Sequence, residues 1–221
     1  MCYGLALMGI EDHAVWEDAL LPRSHALAAT LDQHSLTNVI WSLGTLQLRP
    51  SGDVLSELLA QAVALIELHE DSSEASRLLP KPEHKGNVAT ELKSPKPSDA
   101  SRAHPSSSSS SSSSRLTPQF FANITWSLAR LQHHDMPFMR RVEALFPRLA
   151  DAATAQNIAN VLWAFSSLEF PSKRLFAELR PKVEQIVLDQ ARGLSPQALS
   201  NIAWSYAKAG QVRCSWTAVT T

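Results

Sequence analysis

The sequence predicts an all-α fold: a superhelical array, or α-solenoid, of about four αα-hairpin repeats of ~38–41 residues, interrupted by a disordered Ser/Pro-rich insert. Two observations carry this. An eleven-residue phrase occurs four times, at 36–46, 121–131, 158–168 and 199–209, each copy with Asn and Trp three residues apart. The tryptophans, Trp41, Trp126, Trp163 and Trp204, follow at steps of 85, 37 and 41 residues, and the long step contains a polar stretch, 71–116, without helical pattern. Taking that stretch out leaves one period near 40 along the whole chain.

Each phrase sits on a helix, here helix A, with a readable start. Six residues before each Asn stands Asp32, Thr117, Thr154 or Ser195, all residues whose side-chain oxygen can accept from an unpaired N–H of the first turn. Pro118 and Pro196 follow in the first helical position, where a missing N–H costs nothing. Leu36, Val39 and Leu43, or Ile158, Val161 and Phe165, then recur at helical spacing and make an apolar stripe. A second helix, B, is expected over 53–68, 136–150 and 172–190, with Pro147 and Pro181 kinking or breaking it.

The first thirty residues join the same scheme. Ala19–Arg23 match 144–148 at an offset of 125, which places Met1 on Trp126 and residues 3–9 at the end of a helix A. The chain is therefore expected to start and end inside a repeat, as a stretch of a longer array. The domain reading is helical repeats over 1–70, the insert over 71–116, further repeats over 117–209 and a tail over 210–221. The insert, with five prolines and the serine run 106–114, has too little apolar surface to offset its ordering entropy. It reads as a loop tolerated between repeats, or as a phosphorylation target.

Composition narrows the function. Two cysteines far apart, Cys2 and Cys214, give neither a disulfide framework nor zinc spacing. No apolar run reaches membrane-spanning length, and Glu11, Asp12, Glu17 and Asp18 do not suit an Arg-rich transit peptide. Net charge is −1, but unevenly spread: residues 1–70 hold 2 Lys and Arg against 9 Asp and Glu, whereas 117–221 hold 11 against 7.

The recurring Asn38, Asn123, Asn160 and Asn201 sit mid-helix, where Asn has poor propensity. They read as structural, bonding backbone across the turn between repeats, or as contacts to a base edge. Trp41, Trp126, Trp163 and Trp204 read as core residues among small neighbours, so that Trp163→Ala should unfold its repeat; the alternative is stacking on unpaired bases. His133, His134 and Asp135 form the one tempting cluster and read as a solvated turn; they lack a third metal ligand. No phosphate loop, nucleophile elbow or paired-carboxylate motif occurs, so no enzyme, cofactor, metal or small-molecule substrate is expected. Arg130, Arg140, Arg141, Lys173, Arg174 and Lys208 are the candidate phosphate contacts: stacked repeats would bring the two pairs at the starts of helix B to one edge.

The period, the helical pairs and the phrase Asn-x-x-Trp-(Ser/Ala), as in 156–165, resemble the octotricopeptide repeat proteins of algal organelles. They are also similar to the helical regions of FAST-kinase-like and RAP-domain proteins and to repeats of RNA-editing substrate-binding complex proteins. The resemblance covers 1–70 and 117–209, without a RAP domain. It implies a single-stranded RNA-binding protein of mitochondrion or chloroplast, acting in RNA processing, stability, editing or translation with other proteins of such a complex. The rival expectation is an armadillo- or HEAT-like protein-interaction scaffold, which the near-neutral charge favours.

Overall fold

The structure is a computed structural model that describes residues 2–10, 12, 14–50, 53–78, 115–170, 172–189 and 194–210. All regular structure among them is helical. In chain order come α1 (Cys2–Leu7), a π-helical segment (Ala14–Leu20), α2 (Leu21–Leu27), a 3-10 turn (Ala28–Thr30), α3 (Gln33–Leu46) and α4 (Val54–Leu78). Then follow α5 (Pro118–Arg130), α6 (Met136–Leu145), a 3-10 turn (Phe146–Leu149), α7 (Ala155–Ser167), α8 (Lys173–Leu188) and α9 (Pro196–Lys208). No described helix is long and apolar enough to cross a membrane.

The four expected caps are in place. Asp32, Thr117, Thr154 and Ser195 each accept from the N–H three residues on, at 2.8, 3.2, 3.2 and 3.1 Å. Asn157 returns the favour to the Thr154 N–H, closing a capping box. The far ends share a device that the caps do not announce. Gly9, Gln47, Gln132, Glu169 and Gly210 all have positive φ, between 51° and 65°. After the first four, the next N–H (Ile10, Leu48, His133, Phe170) donates five residues back, to Leu5, Leu43, Leu128 and Phe165, at 2.9–3.0 Å. This left-handed stop satisfies carbonyls that the helix end leaves orphaned.

Those stops fix the alignment of the N-terminal segment. Gly9 matches Gln132 at an offset of 123, which puts Tyr3, rather than Met1, at the Trp126 position. The reason is a shorter connection: Gly9 precedes Ala19 by 10 residues, whereas Gln132 precedes Ala144 by 12.

Helices pack on their next-but-one neighbours. α1, α3, α5, α7 and α9 form one row, each against the next, and α2, α4, α6 and α8 form a second. Apolar faces close between the rows, with Phe120, Phe121, Phe138, Phe146 and Phe165 fully buried; each is worth roughly 1.5–3 kcal/mol of transfer free energy. Within the first row the helices cross at small residues. A Cβ on Gly44 would lie 2.6 Å from Ser127, and Ser166 Oγ donates to the Ser205 carbonyl at 3.0 Å. Ser42, Ser127 and Ser205 are buried and donate to the carbonyls of Asn38, Asn123 and Asn201 at 2.6–2.7 Å. A hydroxyl satisfied within its own helix can thus occupy the crossing.

Two expectations about the second row change. α4 runs on through Asp71 to Leu78, so the start of the stretch read as non-helical is helix. Its polar residues do not oppose helix, and no proline intervenes before Pro80. Pro147 ends α6 in a 3-10 turn as expected, but Pro181 sits inside α8 without breaking it. Residues 79–114 of the expected insert (71–116) and 211–221 of the expected tail (210–221) lie outside the described residues. Across that gap α5 packs on α3 and α6 on α4. Gln33 Nε2 donates to Thr117 Oγ1 at 3.1 Å, and Arg141 pairs with Glu67 and with Glu70.

Candidate functional site

The exposed side of the first row is built by one spacing. On α5, Gln119, Asn123, Trp126 and Arg130 follow at i, i+4, i+7 and i+11, all outside the buried set. That spacing keeps them on a single stripe of the helix. α3 shows His34, Asn38, Trp41 and Thr45; α7 shows Gln156, Asn160, Trp163 and Ser167; α9 shows Gln197, Asn201, Trp204 and Lys208. Because these helices lie side by side, the stripes make rows across them: a His/Gln row, an Asn row and an aromatic row.

The aromatic row begins at Tyr3. Its ring lies 4.9 Å from that of Trp41, and Trp41 stacks on Trp126 at 6.5 Å and 23°. Trp41, Trp126 and Trp163 are half-buried, and Trp204 is 44 % exposed. The expectation of core tryptophans is therefore corrected: Trp41 and Trp163 pack against the core but none is enclosed by it. The buried positions of the phrase belong to its aliphatic, Phe and small residues, which face the second row and the adjacent helices.

The asparagines also differ from the structural expectation. Asn38 Nδ2 meets His34 Nε2 at 3.1 Å, and Asn160 Oδ1 accepts from Gln156 Nε2 at 2.7 Å. Both partners are one turn back on the same exposed stripe. The half-exposed Asn123 and Asn201 have Gln119 and Gln197 in the same place. No bond from these amides to backbone across the turn occurs among the described residues. Mid-helix Asn is thus tolerated beside an i−4 polar partner, and its remaining amide capacity faces outwards.

The six candidate cations divide into two groups. Arg130 and Lys208 hold the same position on α5 and α9 and lie over Trp126 and Trp204, at 5.7 and 5.2 Å from the ring centres. Arg130 Nε is buried without a hydrogen-bond partner, as is Thr45 Oγ1 at the same position of α3. Lys208 also reaches Glu169 at 3.3 Å. The other four belong to α6 and α8. Arg140 and Arg174 flank Glu143, which accepts from Ser172 Oγ at 2.6 Å and lies 3.8 Å from Arg140. Arg174 bonds Glu178 at 2.7 Å, and that bond raises its pKa above the ordinary arginine value. Arg141 is held by two glutamates, and Lys173 is exposed. Arg140 and Arg174 thus share one carboxylate, Glu143, while Arg141 turns to Glu67 and Glu70 of α4.

Asp135, of the His133–His134–Asp135 turn, caps α6 by accepting from the Phe138 N–H at 2.8 Å. Among the described residues no group of three or more His, Cys, Asp or Glu side chains could hold a metal ion. A cavity of about 300 Å³ opens beside Phe165, Phe170, Phe176, Lys173 and Lys208. It joins the end of the exposed face to the α7–α8 turn.

Sequence reasoning missed Tyr3 and the rows themselves. In the structure the aromatic and the left-handed residue stand six apart five times (3 and 9, 41 and 47, 126 and 132, 163 and 169, 204 and 210), but only two of those stops, Gly9 and Gly210, are residues that signal a turn in a sequence. Compared with protein-family models, with curated proteins and with solved structures, the chain finds no match in any of the three.

Proposed function

We propose that the chain is an α-solenoid of about four αα-hairpin repeats that binds single-stranded RNA along the Asn/Trp face, without catalysis. One observation carries the reading: stacked helices display the same polar, amide and aromatic residues in rows on one exposed side. Indole faces offer sequence-tolerant stacking for unpaired bases. The adjacent amides offer donors and acceptors for base edges. Arg130 and Lys208, at the border of the aromatic row, are the cations nearest to a bound backbone. Arg140, Arg141, Lys173 and Arg174 are then secondary, since Arg140, Arg141 and Arg174 already face carboxylates. The resemblance to organellar repeat proteins supports a mitochondrial or chloroplast setting and a role in RNA processing, stability, editing or translation.

Titration with a random single-stranded RNA pool at two salt concentrations, followed by sequencing of the retained fraction, tests this. Salt-sensitive retention with an enriched short motif is expected. A folded chain that ignores RNA sinks the reading and favours the protein-interaction scaffold. That second reading draws on the acidic N-terminal stretch, with 2 cations against 9 carboxylates in residues 1–70.

A further inference from the structure

The Asn row repeats one residue type in four helices, yet two of its amides are held in opposite senses. On α3, Asn38 Nδ2 donates to His34 Nε2 at 3.1 Å. An amide nitrogen can only donate, so Nε2 is the ring nitrogen without a proton. On α7, Asn160 Oδ1 accepts from Gln156 Nε2 at 2.7 Å. The partner lies four residues back in both helices, so the amide nitrogen faces the helix start in Asn38 and the amide oxygen does in Asn160. The other end of each amide is turned towards the indole three residues on. That end is an acceptor oxygen beside Trp41 and a donor nitrogen beside Trp163.

We infer that the residue four before each Asn sets which bases its repeat takes. Histidine there selects an amino base, adenine or cytosine, and glutamine selects a keto base, uracil or guanine. The inference rests on RNA binding along the Asn/Trp face. A base stacked on an indole presents its edge to the Asn, which stands three residues, or about 4.5 Å of helix rise, away. His34 and Gln156 stand seven residues, or about 10.5 Å, from the same indole and act on the base only through the Asn. An exocyclic amino group donates and a keto oxygen accepts. Asn38 Oδ1 therefore suits the amino group of adenine or cytosine, and Asn160 Nδ2 the keto oxygen of uracil or guanine.

The wrong base sets donor against donor, or acceptor against acceptor, and leaves both groups unpaired. Turning the Asn amide over to fit it breaks the bond to the residue four back, unless that residue rearranges too. Base preference is thereby coupled to that position. Gln119 and Gln197 stand at the same place on α5 and α9. Read in order from α3 to α9, the row then offers one amino-selecting position followed by three keto-selecting ones.

Two measurements test this. Long-range 1H–15N NMR of the free chain at mildly alkaline pH should show His34 with its proton on Nδ1. A proton on Nε2 overturns the inference whatever the RNA does. In a random single-stranded RNA pool at the same pH, the retained motif should hold one adenine or cytosine beside a run of uracil or guanine. His34→Gln should turn that one position to uracil or guanine, the preference moving by roughly three- to tenfold. Gln156→His should turn one keto position to adenine or cytosine by a similar factor. Both side chains are exposed, so melting and the total RNA retained should match the parent. An unchanged preference in either variant, with RNA still retained, overturns the inference and leaves the RNA reading standing. A folded parent that retains no RNA overturns both.

Discussion

Gly44 of α3 lies so close to Ser127 of α5 that a methyl group on it would stand 2.6 Å from both the Cα and the Cβ of that serine. Contact with backbone leaves no rotamer by which to yield. Gly44→Ala should therefore lower stability by about 1–3 kcal/mol, although alanine is the better helix former by about 1 kcal/mol. Gly4→Ala, with open space around it, should be neutral or slightly stabilising. Urea titrations of the two variants give the comparison, and equal effects would mean that the α3–α5 crossing is looser than described.

Gln47 is the exposed left-handed stop of α3, at φ 55°. A side chain in that conformation is strained, and glycine is not. Gln47→Gly is expected to raise stability by about 0.5–1 kcal/mol, against the usual trend for glycine substitutions. Gly210→Ala, at φ 64°, should lower it. Thermal melts of both variants read the signs.

Trp126 is half-buried, stacked on Trp41 and covered by Arg130. Trp126→Ala should leave the helical signal intact and cost less stability than Phe121→Ala, for which about 3–5 kcal/mol is expected at a fully buried site. The same change should weaken RNA retention by the equivalent of one lost stacking partner, about 1–3 kcal/mol. Trp163→Ala should behave likewise and not unfold its helix pair. Circular dichroism with a filter-binding assay separates the two effects; loss of folding without a binding phenotype of its own would return the indoles to the core.

Tyr206 donates its hydroxyl to the Phe176 carbonyl at 3.0 Å and packs edge-on against that ring. Burial pushes its pKa up from 10.0 to about 12. The phenol is an acid whose folded form holds its proton more tightly than the unfolded chain does. Its contribution is therefore complete below pH 10 and lost as pH rises towards 12. Tyr206→Phe should cost about 1 kcal/mol near neutrality and flatten the decline between pH 10 and 12 relative to the parent. Urea unfolding at stepped alkaline pH measures this, and parallel curves would show that the hydroxyl is not enclosed.

Cap chemistry made the starts of α3, α5, α7 and α9 legible, because Asp32, Thr117, Thr154 and Ser195 act on amides only three residues away. Burial was less legible. Trp126 and Leu128 look equally apolar in a string, and the neighbouring helices decide that Leu128 is enclosed while the indole borders solvent. Charge pairing was hidden for the same reason: Arg141 meets Glu67 and Glu70 from more than 70 residues away. The left-handed stops are not legible in the sequence, because three of the five are Gln or Glu, residues that carry no turn signal. Without the stops, the match of Ala19–Arg23 to 144–148 aligns Tyr3 two positions from its row.

The joint between α3–α4 and α5–α6 is made by packed helix faces, the Arg141 glutamate pair and the Gln33–Thr117 bond, while 36 residues separate Leu78 from Arg115. Recognition between the two halves is thus written in their surfaces, and covalent continuity is incidental to it. Residues 1–78 and 115–221, made as separate polypeptides, are complementary parts that should find each other in solution and rebuild the same aromatic row across the cut.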